Sequence, residues 1–139
     1  MSAARPDNRE KGESASMAES KLSCAVLADR SLALTEGIRG LLETVFETVV
    51  TVANVTSLLE SVARLEPDMA LVDVSLASDG NLHWMEELRT RCPEVKMVAL
   101  SVHDQPGVER AAVRAGCDGF VLKRDIAIEL LATIDSVMN

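Results

Sequence analysis

Four polar residues stand at or just after the ends of short apolar segments. Asp29 follows the run LSCAVLA, Asp73 lies near the end of MALVDV, Ser101 follows VKMVAL, and Lys123 follows GFVL. Two neighbouring carboxylates form a hard-oxygen site suited to Mg²⁺, and a hydroxyl and an ammonium can bind phosphate oxygens. An aspartate can also attack phosphorus and form an aspartyl phosphate. These residue types indicate phosphoryl chemistry if the fold brings them together.

The apolar segments alternate with stretches whose apolar residues recur at helical spacing. The predicted strands are 22–28, 48–53, 69–74, 95–100 and 119–122. The predicted helix stripes are Ile38, Leu41, Leu42 and Val45; Leu58, Val62 and Leu65; Leu82, Met85 and Leu88; Val108, Ala111, Ala112 and Ala115; and Ile126, Leu130, Ile134 and Val137. Ser31 is the expected N-cap of the first helix, and Gly116 is the expected C-cap of the fourth.

Alternating apolar strands and helices predict an α/β fold, a doubly wound five-stranded parallel sheet with helices on both faces. In such sheets the functional site lies at the carboxyl ends of the strands, beside the switch point in strand order. We therefore expect Asp29, Asp73, Ser101 and Lys123 to meet at that edge.

Length and composition exclude several classes of protein. The 139 residues allow one domain, and we expect residues 1–20 to be a flexible leader and residues 21–139 to form the fold. The net charge of −8 argues against direct binding of nucleic acid or of anionic membranes. Cys24, Cys92 and Cys117 have neither disulfide nor zinc spacing, and no run is long enough to span a membrane, so we expect a cytoplasmic protein.

Residues 21–139 resemble the response-regulator receiver domain of two-component signalling. Asp73, Ser101 and Lys123 occur in the family's order, with AGCDGFVLK around the lysine. The stretch ALSVHDQPGVERAAVRAGCDGFVLK is most similar to receivers that precede a C-terminal helix-turn-helix DNA-binding domain. The resemblance implies the flavodoxin-like (βα)5 fold.

The resemblance also implies a role for each site residue. Asp73 would be the phosphoacceptor, Ser101 the hydroxyl that moves to the phosphate, and Lys123 a ligand of a phosphate oxygen. Phe120 matches the aromatic switch position, whose rotamer changes when the serine moves. A Mg²⁺ ion would be held by Asp29, Asp73 and the main-chain carbonyl of Ser75.

The sequence departs from the family at Arg30, because receivers normally carry two adjacent acids after the first strand. Asp29 matches the first acid, and Arg30 stands at the second, which is usually a direct metal ligand. An arginine in place of an acid changes the local charge by two units and opposes Mg²⁺ binding. Two placements of Arg30 remain open, a surface side chain or an internal cation paired with Asp29 or Asp73.

The sequence leaves two main hypotheses for function. The first is a receiver of a transcriptional regulator, in which a histidine kinase or phosphotransfer protein phosphorylates Asp73 and the chain acts as a homodimer. It would be a signalling domain and at most catalyse its own phosphorylation and dephosphorylation. The alternative is a phosphorylation-independent interaction or dimerisation module. A flavin-binding role is disfavoured by the scarcity of aromatics.

The end at Asn139 suggests that a DNA-binding output domain was removed or that the chain acts through another protein.

Overall fold

The computed structural model describes residues 21–139, so the expected leader 1–20 lies outside the described residues. Five strands alternate with five helices along the chain. Their bounds are β1 Leu22–Ala28, α1 Leu32–Leu42, β2 Phe46–Val52, α2 Val55–Leu65, β3 Met69–Asp73, α3 His83–Arg91, β4 Lys96–Ser101, α4 Pro106–Arg114, β5 Gly119–Leu122 and α5 Ile126–Met138. A 3₁₀ turn, Lys123–Asp125, joins β5 to α5.

The strands form one parallel sheet in the order β2-β1-β3-β4-β5, which confirms the doubly wound α/β prediction. Side chains of the strands alternate between two apolar layers. Helices α1 and α5 cover one face through Ile38, Leu42, Leu130 and Ile134. Helices α2, α3 and α4 cover the other face, with Leu58, Leu88 and Ala112 among the fully buried residues.

The order of the strands determines where the site lies. The chain leaves β1 on one side to make β2 and then returns past β1 to make β3, so the switch point lies between β1 and β3. Leu27 pairs with Leu71 and Ala28 with Val72 in the register of these strands. The loops after β1 and β3 consequently begin side by side at the carboxyl edge of the sheet.

Several boundaries differ from the sequence-based predictions. Strand β2 begins at Phe46, two residues before the predicted start, and Val45 lies in the preceding turn, where its N–H binds the carbonyl of Leu42 at 2.9 Å. Val45 therefore lies outside α1, contrary to the prediction, but it packs partly buried against the same cluster as Ile38 and Leu42. Leu65 at the end of α2 is 37% exposed, so it does not belong to a buried stripe.

Strand β4 is shifted by one residue, so Ser101 is the last residue of the strand rather than the first residue after it. At the end of α4 the C-cap is Ala115, and Gly116 follows it with φ +114. The C-cap is consequently one residue earlier than predicted, and Gly116 occupies the next position, where a left-handed backbone conformation favours glycine. Within residues 21–139 no helix is both long and apolar enough to cross a membrane.

Arg89 of α3 forms hydrogen bonds with the segments that precede β4 and β5. Its guanidinium donates to the carbonyls of Pro93, Val95 and Gly116 at 3.1, 2.8 and 2.9 Å and to the carboxylate of Asp118 at 2.6 Å. The Arg89 side chain is 26% exposed. Three carbonyls and one carboxylate therefore depend on one partly buried cation.

We expect Arg89→Met to destabilise the fold by about 1–3 kcal/mol, because partly buried acceptors lose a charged donor. Arg91→Met is the matched control, since within residues 21–139 Arg91 pairs only with Glu87 of the same helix, and it is 58% exposed. The control should cost no more than about 0.5 kcal/mol. Urea unfolding measures both values, and equal destabilisation by the two variants would contradict the assignment.

Candidate functional site

The ammonium of Lys123 lies between the carboxylates of Asp29 and Asp73. Its Nζ donates to Oδ2 of Asp29 at 2.6 Å and to Oδ2 of Asp73 at 2.5 Å. The three side chains are 7%, 1% and 13% exposed, respectively. Residues 50 and 94 positions apart thus form one ion cluster beneath the surface, at the carboxyl ends of β1, β3 and β5.

Main-chain N–H groups orient both carboxylates. Oδ1 of Asp29 accepts from the N–H of Ser31 at 2.8 Å, and Oδ1 of Asp73 accepts from the N–H of Ser75 at 2.6 Å. Each bond spans two residues, the local pattern in which an aspartate caps the turn that follows it. Each carboxylate therefore has one oxygen toward its own loop and the other toward Lys123.

The charge state of Lys123 follows from its surroundings. Burial alone would lower the pKa of the ammonium, but the hydrogen bonds and negative charges of Asp29 and Asp73 outweigh burial and raise the pKa above its ordinary value. Lys123 is consequently protonated at neutral pH. With both carboxylates ionised, the three side chains carry a net charge of −1.

Ser101 and Phe120 lie on the two neighbouring strands at this edge. Ser101 is fully buried, and its Oγ donates to the carbonyl of His103 and accepts from the N–H of His103, both at 2.9 Å. The hydroxyl is thus bonded to the β4–α4 loop. Phe120 pairs in register with Ala99, two residues before Ser101, and packs half-buried against the α2–α4 layer.

Arg30 lies in the loop between β1 and α1 and is exposed. In residues 21–139 the cation paired with Asp29 and Asp73 is Lys123, and Arg30 makes no ion pair within this range. Of the two placements that the sequence left open, the structure therefore has Arg30 at the surface.

The groups around Asp29 and Asp73 are those that could hold the expected magnesium ion. Across the described residues, no three His, Cys, Asp or Glu side chains form a metal-binding group. Asp29 and Asp73 nevertheless converge on one cation, Lys123, and Mg²⁺ accepts one or two protein carboxylates together with water and phosphate oxygens. The two carboxylates and the Ser75 carbonyl are a chemically suitable but minimal set, since the third acid is replaced by Arg30.

A groove of about 590 Å³ opens between the β3–α3 loop, where Val74 and Ser75 line it, and α4. Its lining includes Ser75 and Leu82 on one side and His103 and Val108 on the other.

Two contacts at the site were not predicted from sequence. One is the double hydrogen bond between Ser101 and His103, and the other is an exposed ion pair between Arg124 and Asp104 at 2.9 Å. Serine hydroxyls often bond to the backbone two residues away, so the Ser101 bond could have been predicted from the sequence. The ion pair joins the β5–α5 turn to the β4–α4 loop. No sequence pattern predicts it, because its partners are 20 residues apart.

The model of the response regulator receiver domain matches residues 25–135. A curated relative, the transcriptional regulatory protein DegU of Brevibacillus brevis, is 27% identical over 121 residues, which are 86% of this chain and 51% of DegU. DesR of Bacillus subtilis is 33% identical over 82 residues, 58% of this chain and 40% of DesR. The chain thus spans about half the length of these curated relatives or less.

Solved structures support the same fold. A LuxR-family two-component response regulator from Aurantimonas sp. superposes with a TM-score of 0.78 at 21% identity, over 86% of each chain. RcsB of Salmonella typhimurium gives 0.77 at 19% identity, over 85% of this chain and 60% of RcsB.

The fold and the extent of the family match define the class: this chain is a receiver domain and belongs to the response regulators of two-component signalling. The resemblance inferred from Asp73, Ser101 and Lys123 is confirmed. Receiver domains are signalling domains that take phosphoryl groups from histidine kinases or phosphotransfer proteins, generally with Mg²⁺, and curated relatives of this chain are transcriptional regulators.

Proposed function

We propose that Asp73 is the phosphoacceptor of this receiver and that a histidine kinase or phosphotransfer protein is the donor. The observation that supports this most is the buried Lys123 ammonium held between Asp29 and Asp73. A lysine at this place is already positioned to bind an oxygen of the incoming phosphoryl group and to offset its negative charge in the transition state.

The proposed reaction is a nucleophilic displacement at phosphorus. A carboxylate oxygen of Asp73 attacks, the bond from phosphorus to the donor atom breaks, and the donor leaves with that electron pair. With acetyl phosphate the leaving group is acetate, so no proton has to be supplied. Lys123 and the N–H groups of the β3–α3 loop bind and orient the phosphoryl oxygens.

Asp29, Asp73 and the carbonyl of Ser75 are the groups that we propose to hold Mg²⁺. A bound Mg²⁺ would supply positive charge to the phosphoryl oxygens. Since Arg30 stands where a further acid would be, we expect the ion to be held weakly.

The proposal is tested by intact mass after incubation with acetyl phosphate and Mg²⁺. We expect one phosphoryl adduct per chain, and we expect hydroxylamine to remove it, because hydroxylamine cleaves acyl phosphates but not serine phosphates. An unmodified chain, with a standard receiver labelled in parallel, would contradict the proposal.

Arg30→Asp is expected to increase Mg²⁺ affinity by about tenfold or more, because it replaces an exposed cation beside Asp29 with a carboxylate. Since Arg30 is exposed and makes no ion pair within residues 21–139, the fold should tolerate the change. Calorimetric titration with MgCl₂ measures the affinity. Arg64→Asp is the control, because Arg64 is exposed in the last turn of α2, at the opposite end of the sheet.

For the response to phosphorylation, we propose that the Ser101 hydroxyl leaves His103 and binds the phosphoryl group, and that Phe120 follows it. This movement would alter the surface formed by α4, β5 and α5. We further propose that the chain acts as a cytoplasmic homodimer and controls transcription through an output domain, with no DNA binding by these residues. Exposed apolar side chains on that surface, Val113 at 54% and Ile128 at 82%, support a protein partner there, and sedimentation equilibrium measures self-association.

The second candidate is a receiver-like interaction module that works without phosphorylation. The specific observation in its favour is Arg30 at the position of an acid, together with the lack of a three-ligand metal group in residues 21–139. This candidate predicts no adduct with acetyl phosphate and unchanged self-association in its presence.

A further inference from the structure

The loop between β4 and α4, residues 102–105, is bonded to a distant part of the chain at one point. Nη1 of Arg124, in the 3₁₀ turn after β5, donates to Oδ2 of Asp104 at 2.9 Å. Within residues 21–139, every other hydrogen bond of this loop stays between positions 101 and 109. The Arg124–Asp104 pair is therefore the polar contact that ties the loop to the neighbouring strand end.

The two ends of this tie are restrained to different degrees. Arg124 directly follows Lys123, whose ammonium is buried between two carboxylates, so the start of the 3₁₀ turn is held by the ion cluster. The loop has no such anchor, and Val102 and His103 are both exposed. If the pair breaks, we therefore expect the loop to move while the turn stays in place.

The tie affects Ser101, because the Ser101 hydroxyl is bonded to the same loop. Its Oγ contacts the carbonyl and the N–H of His103, the residue before Asp104, both at 2.9 Å. Asp73 pairs in register with Leu100, so Ser101 lies one residue beyond the strand partner of the acceptor. To reach a phosphoryl group on Asp73, the hydroxyl has to give up both bonds to His103. A loop held in place through Asp104 keeps those bonds formed.

We propose that the Arg124–Asp104 pair is a latch. It holds the β4–α4 loop, and with it the Ser101 hydroxyl, in the arrangement of the unmodified chain, so that breaking the pair raises the population in which Ser101 is free to bind the phosphoryl group. This inference rests on the proposed function of Asp73 and names a regulation of the same site. Arg124 and Asp104 are positioning residues, since they act through Ser101 and not on phosphorus.

The exposure of the pair sets the size of the expected effect. The side chains of Arg124 and Asp104 are 65% and 53% exposed, and ion pairs of this kind contribute modestly. We expect loss of the pair to raise the population of the released loop by about two- to fivefold. A latch of this strength can be overcome by the new bonds of one phosphoryl group.

The test compares three chains of equal net charge: the wild type, the double variant Asp104→Ala/Arg124→Ala, and the charge swap Asp104→Arg/Arg124→Asp. NMR measures exchange of the His103 amide in the unmodified chain, since this N–H is bonded to Ser101. Exchange should be about two- to fivefold faster in the double alanine variant and return to the wild-type rate in the charge swap.

The second readout is the rate of adduct formation with acetyl phosphate and Mg²⁺, followed by intact mass. It should rise by a similar factor in the double alanine variant and not in the charge swap. Because the three chains have the same net charge, attraction of the anionic donor does not explain a difference. Glu87→Ala/Arg91→Ala is the control, since it removes an exposed ion pair within α3 and should change neither rate.

Three outcomes overturn the latch while leaving the proposed function in place. They are equal His103 exchange in the wild type and the double alanine variant, a charge swap as fast as the double alanine variant, and faster exchange without faster labelling. No labelling of any of the chains overturns the proposed function and the latch together. The labelling of the wild type therefore distinguishes the two failures.

Discussion

Asp73→Asn should eliminate the phosphoryl adduct that acetyl phosphate forms on the wild-type chain. The amide of asparagine is not a nucleophile toward phosphorus, whereas the carboxylate is. The change keeps the shape of the side chain, and the amide oxygen can still accept from the N–H of Ser75, so the fold should persist. Intact mass detects the loss directly.

Asp135→Asn is the matched control for this substitution. Asp135 is exposed on α5, and in the described part of the chain its carboxylate accepts a hydrogen bond only from Asn139. Full labelling of Asp135→Asn together with loss of labelling in Asp73→Asn is the predicted pair of results. An adduct of unchanged yield on Asp73→Asn would place the acceptor elsewhere.

Lys123→Met should have the second large effect, a loss of both stability and phosphorylation rate. The substitution leaves two buried carboxylates facing each other without a cation, and breaking a buried ion pair on one side costs about 3 kcal/mol or more. Urea unfolding at pH 7 measures this cost. Lys21→Met is the control, because Lys21 is exposed and, among residues 21–139, its ammonium donates only to the main-chain carbonyl of Glu43, so its effect should stay within about 0.5 kcal/mol.

The stability advantage of the wild type over Lys123→Met should depend on pH with a definite sign. The pKa of Lys123 is higher in the folded chain than its ordinary value of 10.5, so the folded state binds this proton more tightly than the unfolded state. The advantage of the wild type over Lys123→Met should be complete at neutral pH, decline as the pH rises above 10.5, and be lost above the folded pKa. An advantage that is constant through this range would contradict the ion cluster.

The stability cost also has a test that separates it from simple loss of packing. If the carboxylates are the reason, Asp29→Asn should restore part of the stability that Lys123→Met removes, because one uncompensated charge disappears. A double variant no more stable than Lys123→Met would indicate that the aliphatic part of the lysine supplies the stability instead.

The sequence was sufficient for the fold because each strand is a short apolar segment bounded by polar residues. The bounds of β1 and β5 agree with the prediction, and α2 ends before Pro67 as proline requires. The start of β2 was misplaced because Phe46 and the alternating residues after it lie on an edge strand, where apolar content is lower. Val45 has helical spacing from Leu41 and Leu42, but the chain has already turned there.

The position of the site was predictable for a related reason, and its contacts were not. In a parallel sheet the strand ends share one edge, so the ends of β1, β3 and β5 had to bring Asp29, Asp73 and Lys123 near one another. Which cation pairs with the two carboxylates depends on side-chain reach and burial, and spacing alone left Arg30 and Lys123 both available. The Arg89 bonds were not predictable either, since Asp118 is 29 residues away.

Phosphorylation of Asp73 is tested most directly by locating the phosphoryl group in the chain. Borohydride reduces an aspartyl phosphate to homoserine, and peptide mass spectrometry after labelling with acetyl phosphate identifies the converted position. We predict homoserine at position 73 and nowhere else. Homoserine at another aspartate, or a stable phosphate on Ser101, would contradict the account.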